Sequence, residues 1–569
     1  MKFGRETYNI LIWSGESLGS LVAIDTETTI VPFIRTPDLV TCQVYGGGDV
    51  VYYIPRNLIA NFFIRHYDTS FIAHNMPFDM GVLQSFIGRD TVYRLYDQNK
   101  IKDTSILYRL LHLAEIGIIP PRYNLALVSK KFNNVELEKD ERRENFSQFI
   151  DSKIEDIPAN YLEYGAADVI ATYKAWLAMK VHVNRHDTMG TLLSHDIQVK
   201  GDLALNHIYK NGIGFDLSMK DAWFKDKYAQ LVILQERLSN WGWVRGFKGI
   251  KDRYRQITEH IGIADALPRT KDGSISSKRE DLEIYAHLPF ISDFLAFMEL
   301  EKAISFVKDR TESRAHPRYN CLVNTGRTSC SKPNFQQLPR IGGIREMFRA
   351  EEGNTLLITD YSTLELAALS QVLLKQEGYS VMGDKINEGV DLHKYYASVM
   401  NGCTLEEVTK QQRQEAKAAN FGFPGGLGID TFIQFSKGYG LTISEDQART
   451  MKATWFDAFP EIKGYMKNER GEVTTLTGRK RGNTTYCAEK NTPFQGLSAD
   501  GAKIALYELD KQGFSVVGFV HDEIICEVKR EVAEEKLRLM EKIMIDSMRI
   551  VIPDIKISVD SMISERYCK

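Results

Sequence analysis

The stretch TLLITDYSTLE, residues Thr355–Glu365, joins a short apolar run to a carboxylate and then to the start of a helical pattern. The run Leu356–Thr359 contains β-branched residues and predicts a buried strand. Asp360 stands where that strand ends, and the apolar spacing from Leu364 predicts a helix. An acid at the mouth of a buried strand can hold a metal ion, but taken alone it is more simply a cap of the next helix. Carboxylates elsewhere in the chain decide between these interpretations.

The composition sets the broad class of protein. The chain has 569 residues and 43% hydrophobic content, enough for about two to four domains with buried cores. A formal net charge of −3 means that any nucleic-acid-binding surface must be local. Seven cysteines form no CxxC pair, which argues against a disulfide framework or a structural zinc site. Without a signal peptide core or a membrane-length apolar run, we expect a cytoplasmic protein.

Two carboxylates accompany an apolar strand near the N-terminus. Leu21–Ile24 predicts the strand, and Asp25 and Glu27 follow it. Residues two apart in a strand share a face, so these side chains repel each other unless a cation lies between them. The alternative is an ordinary turn at a strand end.

Two further clusters carry single carboxylates on predicted helices. Asn75 and Asp79 are four residues apart, and Pro77 between them suits a first helical turn. Tyr164 and Asp168 are also one helical turn apart, and the small residues between them allow a backbone or a substrate to approach. The alternatives are an Asn-capped ordinary helix and a surface helix with a tyrosine on its buried edge.

In this order and spacing, the three clusters resemble the exonuclease motifs of the DEDDy proofreading superfamily, over about residues 18–178. The resemblance implies a ribonuclease-H-like sheet and two divalent ions, Mg²⁺ or Mn²⁺, which suit hard oxygen ligands. Two such ions activate a water and stabilise the leaving oxygen. Asp103 is a further candidate for the same site. By the resemblance Tyr164 orients the water, and the metal ligands are Asp25, Glu27, Asp79 and Asp168.

A second acidic motif, near the C-terminus, gives Asp360 a partner. Phe519–Ile525, with the sequence FVHDEII, sets acids between two apolar β-like runs. This is the pattern of a hairpin with carboxylates at its turn. Asp522 and Asp360 can therefore serve together as a two-metal site.

Cations lie between these two acidic motifs. Arg413, Lys417 and Phe421 recur every four residues and share one face of a predicted helix. Such a stripe is commonly a solvated face, but two cations in line with a ring also suit a nucleoside triphosphate. The polar loop Thr325–Pro339 offers donors for minor-groove acceptors. Residues 301–350 hold ten Lys or Arg against four Asp or Glu, a local basic stretch suited to duplex DNA.

Taken together, these features resemble family A DNA polymerases, the type of bacterial polymerase I, over roughly residues 200–569. The resemblance implies a right-hand arrangement of palm, fingers and thumb. It also implies attack of a primer 3′-oxygen on the α-phosphate of a dNTP, with two Mg²⁺ or Mn²⁺ ions. The matching segments are Thr325–Pro339, Asp360–Glu365, Asp391–His393, Arg413–Gly422, Leu476–Arg479, Asn491–Gly496 and Val520–Glu523.

The resemblance assigns roles to individual residues. Asp360 and Asp522 hold the two metal ions, and Glu523 supports them. Glu365 crowds the ribose 2′ position and so favours deoxynucleotides. The residues expected to bind the triphosphate are His393, Arg413, Lys417 and Phe421, with Lys417 also a candidate general acid. Those expected to contact the primer–template are Arg327, Gln336, Asn491, Gln495 and His521.

The chain departs from the family pattern where aromatic or basic residues are usual. Gly425 stands in place of the Tyr expected four residues after Phe421. Pro424 lacks an N–H and disfavours helix before it, so we expect the helix to kink or stop near Phe423. Phe423 is the candidate to replace the missing ring. Two basic residues of the family pattern are also absent, at Ala367 and Cys487.

The sequence predicts an α/β and α+β multidomain protein that synthesises DNA on a template and proofreads it. The expected divisions are a 3′–5′ exonuclease domain at 1–183, a thumb region with connecting helices at 184–322, and palm and fingers at 323–569, with the fingers at about 371–455. We expect a monomer that acts on primer–template DNA and dNTPs away from membranes. The compact form without a 5′-nuclease suits a phage replicative polymerase in the host cytoplasm. The alternatives are a 3′–5′ exonuclease with a DNA-gripping, weakly active polymerase half, and a single-subunit RNA polymerase, against which Glu365 argues.

Overall fold

The computed structural model describes residues 1–30, 34–137, 145–246, 248–270, 273–339, 341–467 and 469–568. Arg340, one of the ten basic residues counted above, lies outside the described residues. In the part of the chain that is described, no helix is both long and apolar enough to cross a membrane.

The N-terminal part is built on a mixed six-stranded sheet with the strand order β3-β6-β5-β4-β7-β8, and β1 and β2 form a separate pair. The strands of this part are β1 (Lys2–Phe3), β2 (Glu6–Thr7), β3 (Asn9–Ile12), β4 (Leu21–Thr28), β5 (Leu39–Tyr45), β6 (Val50–Tyr53), β7 (Ser70–Ala73) and β8 (Ile101–Asp103). Its helices are α1 (Ile59–Arg65), α2 (Met76–Ile87), α3 (Arg89–Asp97), α4 (Thr104–Ile116), α5 (Leu125–Asn133) and α6 (Ala159–His186).

Strand β4 lies inside this sheet, antiparallel to β5 and parallel to β7. It runs on through Asp25 and Glu27 to Thr28 and does not end at Ile24 as the apolar run suggested. The helix predicted after Asn75 is present as α2, with the proline in its first turn. Asp25 and Glu27 therefore project from the same face of an interior strand, towards the helices that pack against β4.

A helical middle part follows. Its elements are α7 (His195–Asn211), β9 (Ile213–Phe215), α8 (Leu217–Asn240), α9 (Ile250–His260), α10 (Arg279–Leu282), α11 (Pro289–Val307), β10 (Arg314–Ala315) and β11 (Arg318–Asn320). Long helices α8 and α11 pack together around a separate apolar cluster that includes Leu238, Trp243 and Phe297. β9 pairs with β10 and with a strand further along the chain, which ties this part to the C-terminal half.

The C-terminal half surrounds a four-stranded antiparallel sheet with the order β17-β18-β14-β19. The strands of this half are β12 (Ser329–Ser331), β13 (Phe348–Arg349), β14 (Asn354–Tyr361), β15 (Val473–Thr474), β16 (Lys480–Arg481), β17 (Ser515–Val520), β18 (Glu523–Lys529) and β19 (Val559–Ser564). Its helices are α12 (Leu364–Glu377), α13 (Val381–Asn387), α14 (Leu392–Asn401), α15 (Lys410–Gly422), α16 (Ile429–Lys437), α17 (Glu445–Ala458), α18 (Ile462–Lys467), α19 (Tyr486–Lys511) and α20 (Ala533–Val551).

Strand β14 is buried on both faces, which explains its continuous apolar run. Leu356 and Ile358 face one apolar cluster, and Leu357 faces another. β17 and β18 form the predicted hairpin, with Val520 paired to Glu523. The strand, the following helix α12 and the hairpin are all confirmed, and together they bring Thr355–Glu365 to the centre of this half.

Candidate active sites

The first site lies where β14 meets the hairpin. Asp360 pairs with Glu523 of β18, and His521 and Asp522 form the two-residue turn that precedes it. His521 has a left-handed backbone, with φ 62°, which a tight hairpin turn requires. On its other side Asp360 pairs with Asp560 of β19. Cross-strand partners share a face, so Asp560 places a further carboxylate on the face that carries Asp360. We did not predict this residue from the sequence. The β-strand pattern around Asp560 was the available signal.

Glu523 is held from behind. Its side chain is buried, and Tyr567 Oη donates a hydrogen bond to Glu523 Oε1 at 2.8 Å. Burial, with Glu523 nearby, raises the pKa of the Tyr567 hydroxyl, so it remains a proton donor. The carboxylate of Glu523 is thus fixed beside Asp360.

A cavity of about 310 Å³ opens beside Asp522. Arg327 lines it and forms an ion pair with Glu365. Burial lowers the pKa of the Arg327 guanidinium, and Asp522 opposes that shift. Burial, with Arg327 nearby, also lowers the pKa of His521. Gln336, which donates to Thr328 Oγ1 at 2.8 Å, completes this wall. Three predicted DNA contacts, Arg327, Gln336 and His521, therefore share one cavity with Asp522.

The cationic stripe occupies one side of α15. Thr409 and Gln412 form a capping box at its start, which fixes where the helix begins. Arg413 Nε donates to Asp391 Oδ2 at 2.9 Å, and Asp391 caps α14. Lys417 lies close enough to His393 to lower its pKa. The helix and its neighbour thus present Arg413, Lys417 and His393 together.

His393 is a neutral imidazole in this setting. It is buried, and desolvation lowers its pKa to about 4. Asn420 Oδ1 accepts from Trp455 Nε1 at 2.9 Å, so its amide nitrogen faces His393 Nδ1 at 3.0 Å and donates to it. The ring proton of His393 therefore resides on Nε2. The ring centroid lies 5.5 Å from that of Phe421, so a neutral donor stands beside the stripe.

A second cavity, of about 490 Å³, is lined by Asp522, Glu365 and Phe421. Asn491 and Gln495 of α19 line it, as do Phe435 and Tyr439, whose rings are 5.3 Å apart. The two aromatic residues were missed. Their i, i+4 spacing was the available signal.

The departure at Gly425 has a structural basis. Helix α15 ends at Gly422 and a single 3₁₀ turn follows, as Pro424 predicted. A Cβ at Gly425 would lie 2.7 Å from Asn491 Nδ2, and that amide donates to the Gly425 carbonyl at 3.2 Å. The idea that Phe423 replaces the missing ring is wrong, because Phe423 is buried against Phe432 at 4.2 Å.

Ala367 and Cys487, the other two positions that depart from the family pattern, do not line the second cavity. Ala367 is buried in the main core, where a longer basic side chain would be desolvated. Cys487 is exposed at the start of α19, with its Sγ 3.9 Å from the Gly426 carbonyl oxygen.

The second site lies in the N-terminal part. Ligand atoms of Asp25, Glu27 and Asp168 lie within 4.8 Å of one another. Burial raises the pKa of Asp25 well above its usual range, and the charges of Asp79, Glu27 and Asp168 add to the rise. Carboxylates that repel one another in the interior are stabilised by a cation. These oxygen donors fit Mg²⁺ or Mn²⁺.

Asp79 is anchored next to this group. Its Oδ1 accepts from the Thr26 amide at 3.0 Å and from Thr26 Oγ1 at 2.7 Å. Burial raises the pKa of Asp79 to about 7 even so. Tyr164 lies one turn before Asp168 on α6, beside Phe146 at 6.2 Å between ring centroids.

Asp103 is a helix-capping residue next to the carboxylate group, and its charge adds to the raised pKa of Asp79. It caps α4 through the amides of Ser105 and Ile106, and it also accepts from the Met76 amide at 2.7 Å. Those backbone donors satisfy a fully buried carboxylate, and a part for Asp103 in metal binding stays a prediction.

Gln43 was missed. It pairs across the sheet with Asp25, and its Nε2 donates to Asp25 Oδ2 at 2.6 Å. A Cβ at Gly165 would lie 2.8 Å from this amide, so the glycine lets α6 come close. The available signal was one amide side chain in the strand LVTCQVY, every residue of which is buried.

Comparison with known proteins places the C-terminal half in context. A family model described as DNA polymerase family A matches residues 254–569. A DNA polymerase I of Aquifex aeolicus (strain VF5) is 34% identical over 323 residues, covering 53% of this chain and 55% of that protein. A thermostable DNA polymerase I of Thermus aquaticus is 30% identical over 335 residues, covering 52% and 39%. The chain thus spans about half the length of the curated relatives it matches, or less.

The fold is shared over a longer region. A solved structure described as the POL domain of Pol1 from M. smegmatis, in complex with DNA primer-template and dNTP, aligns with a TM-score of 0.76. The alignment covers 98% of this chain and 99% of that chain, at 19% identity. The similarity of architecture therefore includes the N-terminal part, which the family model does not reach.

Proposed function

Because the chain belongs to DNA polymerase family A, we propose that it copies a DNA template by adding dNTPs to a primer 3′ end. The observation that carries the proposal is the second cavity, which Asp522, Glu365 and Phe421 line together. The same cavity thus contacts Asp522, the proposed metal ligand, and the ring of Phe421. Phe421 lies on α15, the helix that also carries Arg413 and Lys417. That is the combination that binding of a triphosphate next to a primer end requires.

Asp360 and Asp522 would hold Mg²⁺ or Mn²⁺, since hard oxygen donors suit these ions. When bound, the ions lower the pKa of the primer 3′-hydroxyl and stabilise charge on the phosphates. Arg413 and Lys417 bind the triphosphate, and His393 adds a neutral Nε2–H donor. Lys417 also serves as general acid towards the pyrophosphate. A Lys417→Ala enzyme with undiminished turnover would rule out that last role.

Sugar selection uses Phe421 and Glu365, which line the same cavity. Phe421 packs against the sugar, and Glu365 occupies the space on the 2′ side. Arg327 holds the Glu365 carboxylate there through their ion pair, so the 2′ position meets a fixed group. The remaining contacts to primer and template come from Gln336, Asn491, Gln495 and His521.

We further propose that the N-terminal site removes nucleotides from a 3′ end. The three converging carboxylates support this proposal, together with Asp79 beside them. These four acids would hold two divalent ions, and Tyr164 would orient the attacking water. The similarity to DEDDy motifs is the other support.

The proposal includes the domain divisions at 1–183, 184–322 and 323–569 and a monomer working on primer–template DNA. Its partners are that DNA and the dNTPs. Support comes from the similar M. smegmatis structure, which is a complex of that protein with a DNA primer-template and a dNTP.

Primer extension with each nucleotide in turn tests the proposal. Wild type should extend a primed template with complementary dNTPs and discriminate against rNTPs, and Asp25→Ala should do so without shortening the primer. Asp360→Asn should fail to extend. Failure of the wild type to extend, with degradation intact, would instead favour an exonuclease that only grips DNA in its C-terminal half.

A further inference from the structure

The turn that carries Arg327 is a distinct structural unit. The Val323 amide donates to the Arg327 carbonyl at 2.9 Å, and the Gly326 amide donates to the Val323 carbonyl at 2.8 Å. Gly326 has φ 93°, a conformation that favours glycine. The turn directs Arg327 into the first cavity, beside Asp522. The residues that pack behind the turn therefore determine the position of the Arg327 guanidinium.

Lys503 reaches the turn from below. It lies on α19 and is fully buried. Its Nζ donates to the Gly326 carbonyl at 2.6 Å and to Gln198 Oε1 of α7 at 2.5 Å. A Cβ at Gly201 would lie 2.9 Å from Lys503 Cβ, so helix α7 covers the lysine stem closely. The ammonium therefore has a narrow choice of positions.

A second buried cation fills the space beside Lys503. Arg479 Nη1 donates to Asp500 Oδ1 at 2.5 Å, and Gln198 Nε2 donates to the same oxygen at 2.9 Å. Arg479 Nε and Nη2 have no hydrogen-bond partner among the residues described. A Cβ at Gly326 would overlap Arg479 Nη2. The guanidinium thus packs directly against the turn backbone.

This network is costly to bury. Arg479 forms an ion pair with Asp500, whose charge also acts on Lys503, and two guanidinium nitrogens of Arg479 lack acceptors among the described residues, whereas buried polar groups are normally satisfied. Burial lowers the pKa of Lys503 to about 8, so at neutral pH it remains mostly an ammonium with protons to donate. A satisfied bond from that ammonium to the Gly326 carbonyl is the network's direct link to the catalytic cavity.

We propose that Lys503 is a positioning residue that acts through Arg327. Its bond to the Gly326 carbonyl holds the 323–328 turn so that Arg327 meets Glu365 and Asp522 at the proposed primer end. The inference rests on the proposed polymerase function. Lys503 lies on α19 and does not line the first cavity, but by this inference it helps to position the primer.

A double-mutant cycle on the whole chain tests the inference. Lys503→Met should lower kcat/KM for primer extension by roughly tenfold, the loss expected for one buried charged hydrogen bond. In an Arg327→Ala background the same change should cost less than about twofold, because its target is already gone. Lys503→Arg, which keeps a charged donor, should recover most of the activity.

Lys490→Met is the matched control. Lys490 is another buried lysine of α19, and it bonds to Glu489. Its effect should be the same in both Arg327 backgrounds. Equal losses from Lys503→Met in both backgrounds, or a Lys503→Arg enzyme as impaired as the Met variant, would overturn the inference.

Amide hydrogen exchange supplies a readout that needs no activity. A peptide covering residues 323–328 should exchange faster in Lys503→Met than in wild type, while Lys490→Met leaves it unchanged. Unchanged exchange in Lys503→Met would refute the positioning. Absence of extension by the wild type would refute the proposed function, and exchange at the turn would then decide the positioning alone.

Discussion

The two carboxylate sites of this chain are held in opposite ways. In the N-terminal site Asp25, Glu27 and Asp168 converge inside the fold, and their mutual repulsion and burial raise the pKa of Asp25. In the C-terminal site the carboxylates lie along a strand end and a hairpin turn, and Arg327 stands among them, close to Asp522 and paired with Glu365. The carboxylates of the N-terminal site repel one another, and a bound cation would relieve that repulsion. The C-terminal site already contains the positive charge of Arg327. We infer that the N-terminal site depends more strongly on metal for its stability.

The largest expected effect is on activity, and it tests whether the two sites are independent. Asp522→Ala should reduce primer extension by at least roughly 10³-fold, since metal-stabilised charge is worth several kcal/mol. Asp25→Ala should reduce 3′ degradation by a similar factor. Each variant should retain the other activity. Extension and degradation of one 5′-labelled primer–template measure both, and loss of both activities in either variant would contradict the comparison.

Metal binding should affect stability next most strongly. After bound metal has been removed with a chelator and the chelator has been dialysed away, Mn²⁺ at about 100 times its dissociation constant should stabilise the wild type by about 2.7 kcal/mol for each site that it fills. The N-terminal site should account for most of that gain, because the ion also relieves the repulsion between carboxylates. Thermal unfolding of wild type, Asp25→Asn and Asp522→Asn measures it. A Mn²⁺ response retained by Asp25→Asn but lost in Asp522→Asn would reverse the comparison.

Local sequence patterns predicted the acids that the structure brings together at both candidate sites, but not the side chains that support those acids. The apolar runs around Asp522 predicted its hairpin, since strands and turns are encoded by neighbours in sequence. The lone amide of Gln43 in an apolar run was a local signal, but its role was missed because that role depends on the pairing of β4 with β5, which no local pattern encodes. The capping role of Asp103 was not predicted, because a helix-capping acid and a metal-binding acid look alike in sequence.

The error at Phe423 has a simple geometric cause. Residues two apart on a helix point in different directions, so Phe423 could not continue the stripe of Phe421. It packs instead with Phe432 and Trp455 in the core. Phe435 lines the cavity from α16 and Tyr439 from the turn after it, a segment that the sequence motifs do not include. The sequence pattern does not show which segment packs against α15, because that packing depends on the tertiary structure.

The pH dependence of stability should have opposite signs at the two sites. His393 has a folded pKa of about 4, lowered by burial from its usual 6.5, so the unfolded chain binds the proton more readily. Its contribution to stability is therefore lost as pH falls from 6.5 towards 4. Asp79 has a folded pKa of about 7, raised by burial from 3.8. Its folded form binds the proton more readily, so in chelator its contribution to stability grows as pH falls from 7 towards 4.

Variants separate these two contributions. In chelator, His393→Gln should lose less stability than wild type between pH 6.5 and 4.5, and Asp79→Asn should lose more. Each difference should be on the order of 1–3 kcal/mol. Thermal unfolding at matched ionic strength measures both. A shift of the same sign in the two variants would show that the sites do not differ in this way.

The smallest effect concerns the support behind the N-terminal carboxylates. Gln43→Leu removes the amide that donates to Asp25 Oδ2, so Asp25 loses a hydrogen bond that favours its charged, metal-binding form. Groups that hydrogen-bond to metal ligands are typically worth about 10-fold or more, and we expect roughly a tenfold fall in 3′ degradation with extension unchanged. Thr41→Val is the control, because Thr41 bonds to Gln43 Oε1 at 3.2 Å and leaves the donating amide nitrogen in place. Degradation assays with the two variants should therefore differ, and an equal fall in both would mean that general packing of β5, rather than the bond to Asp25, supports the site.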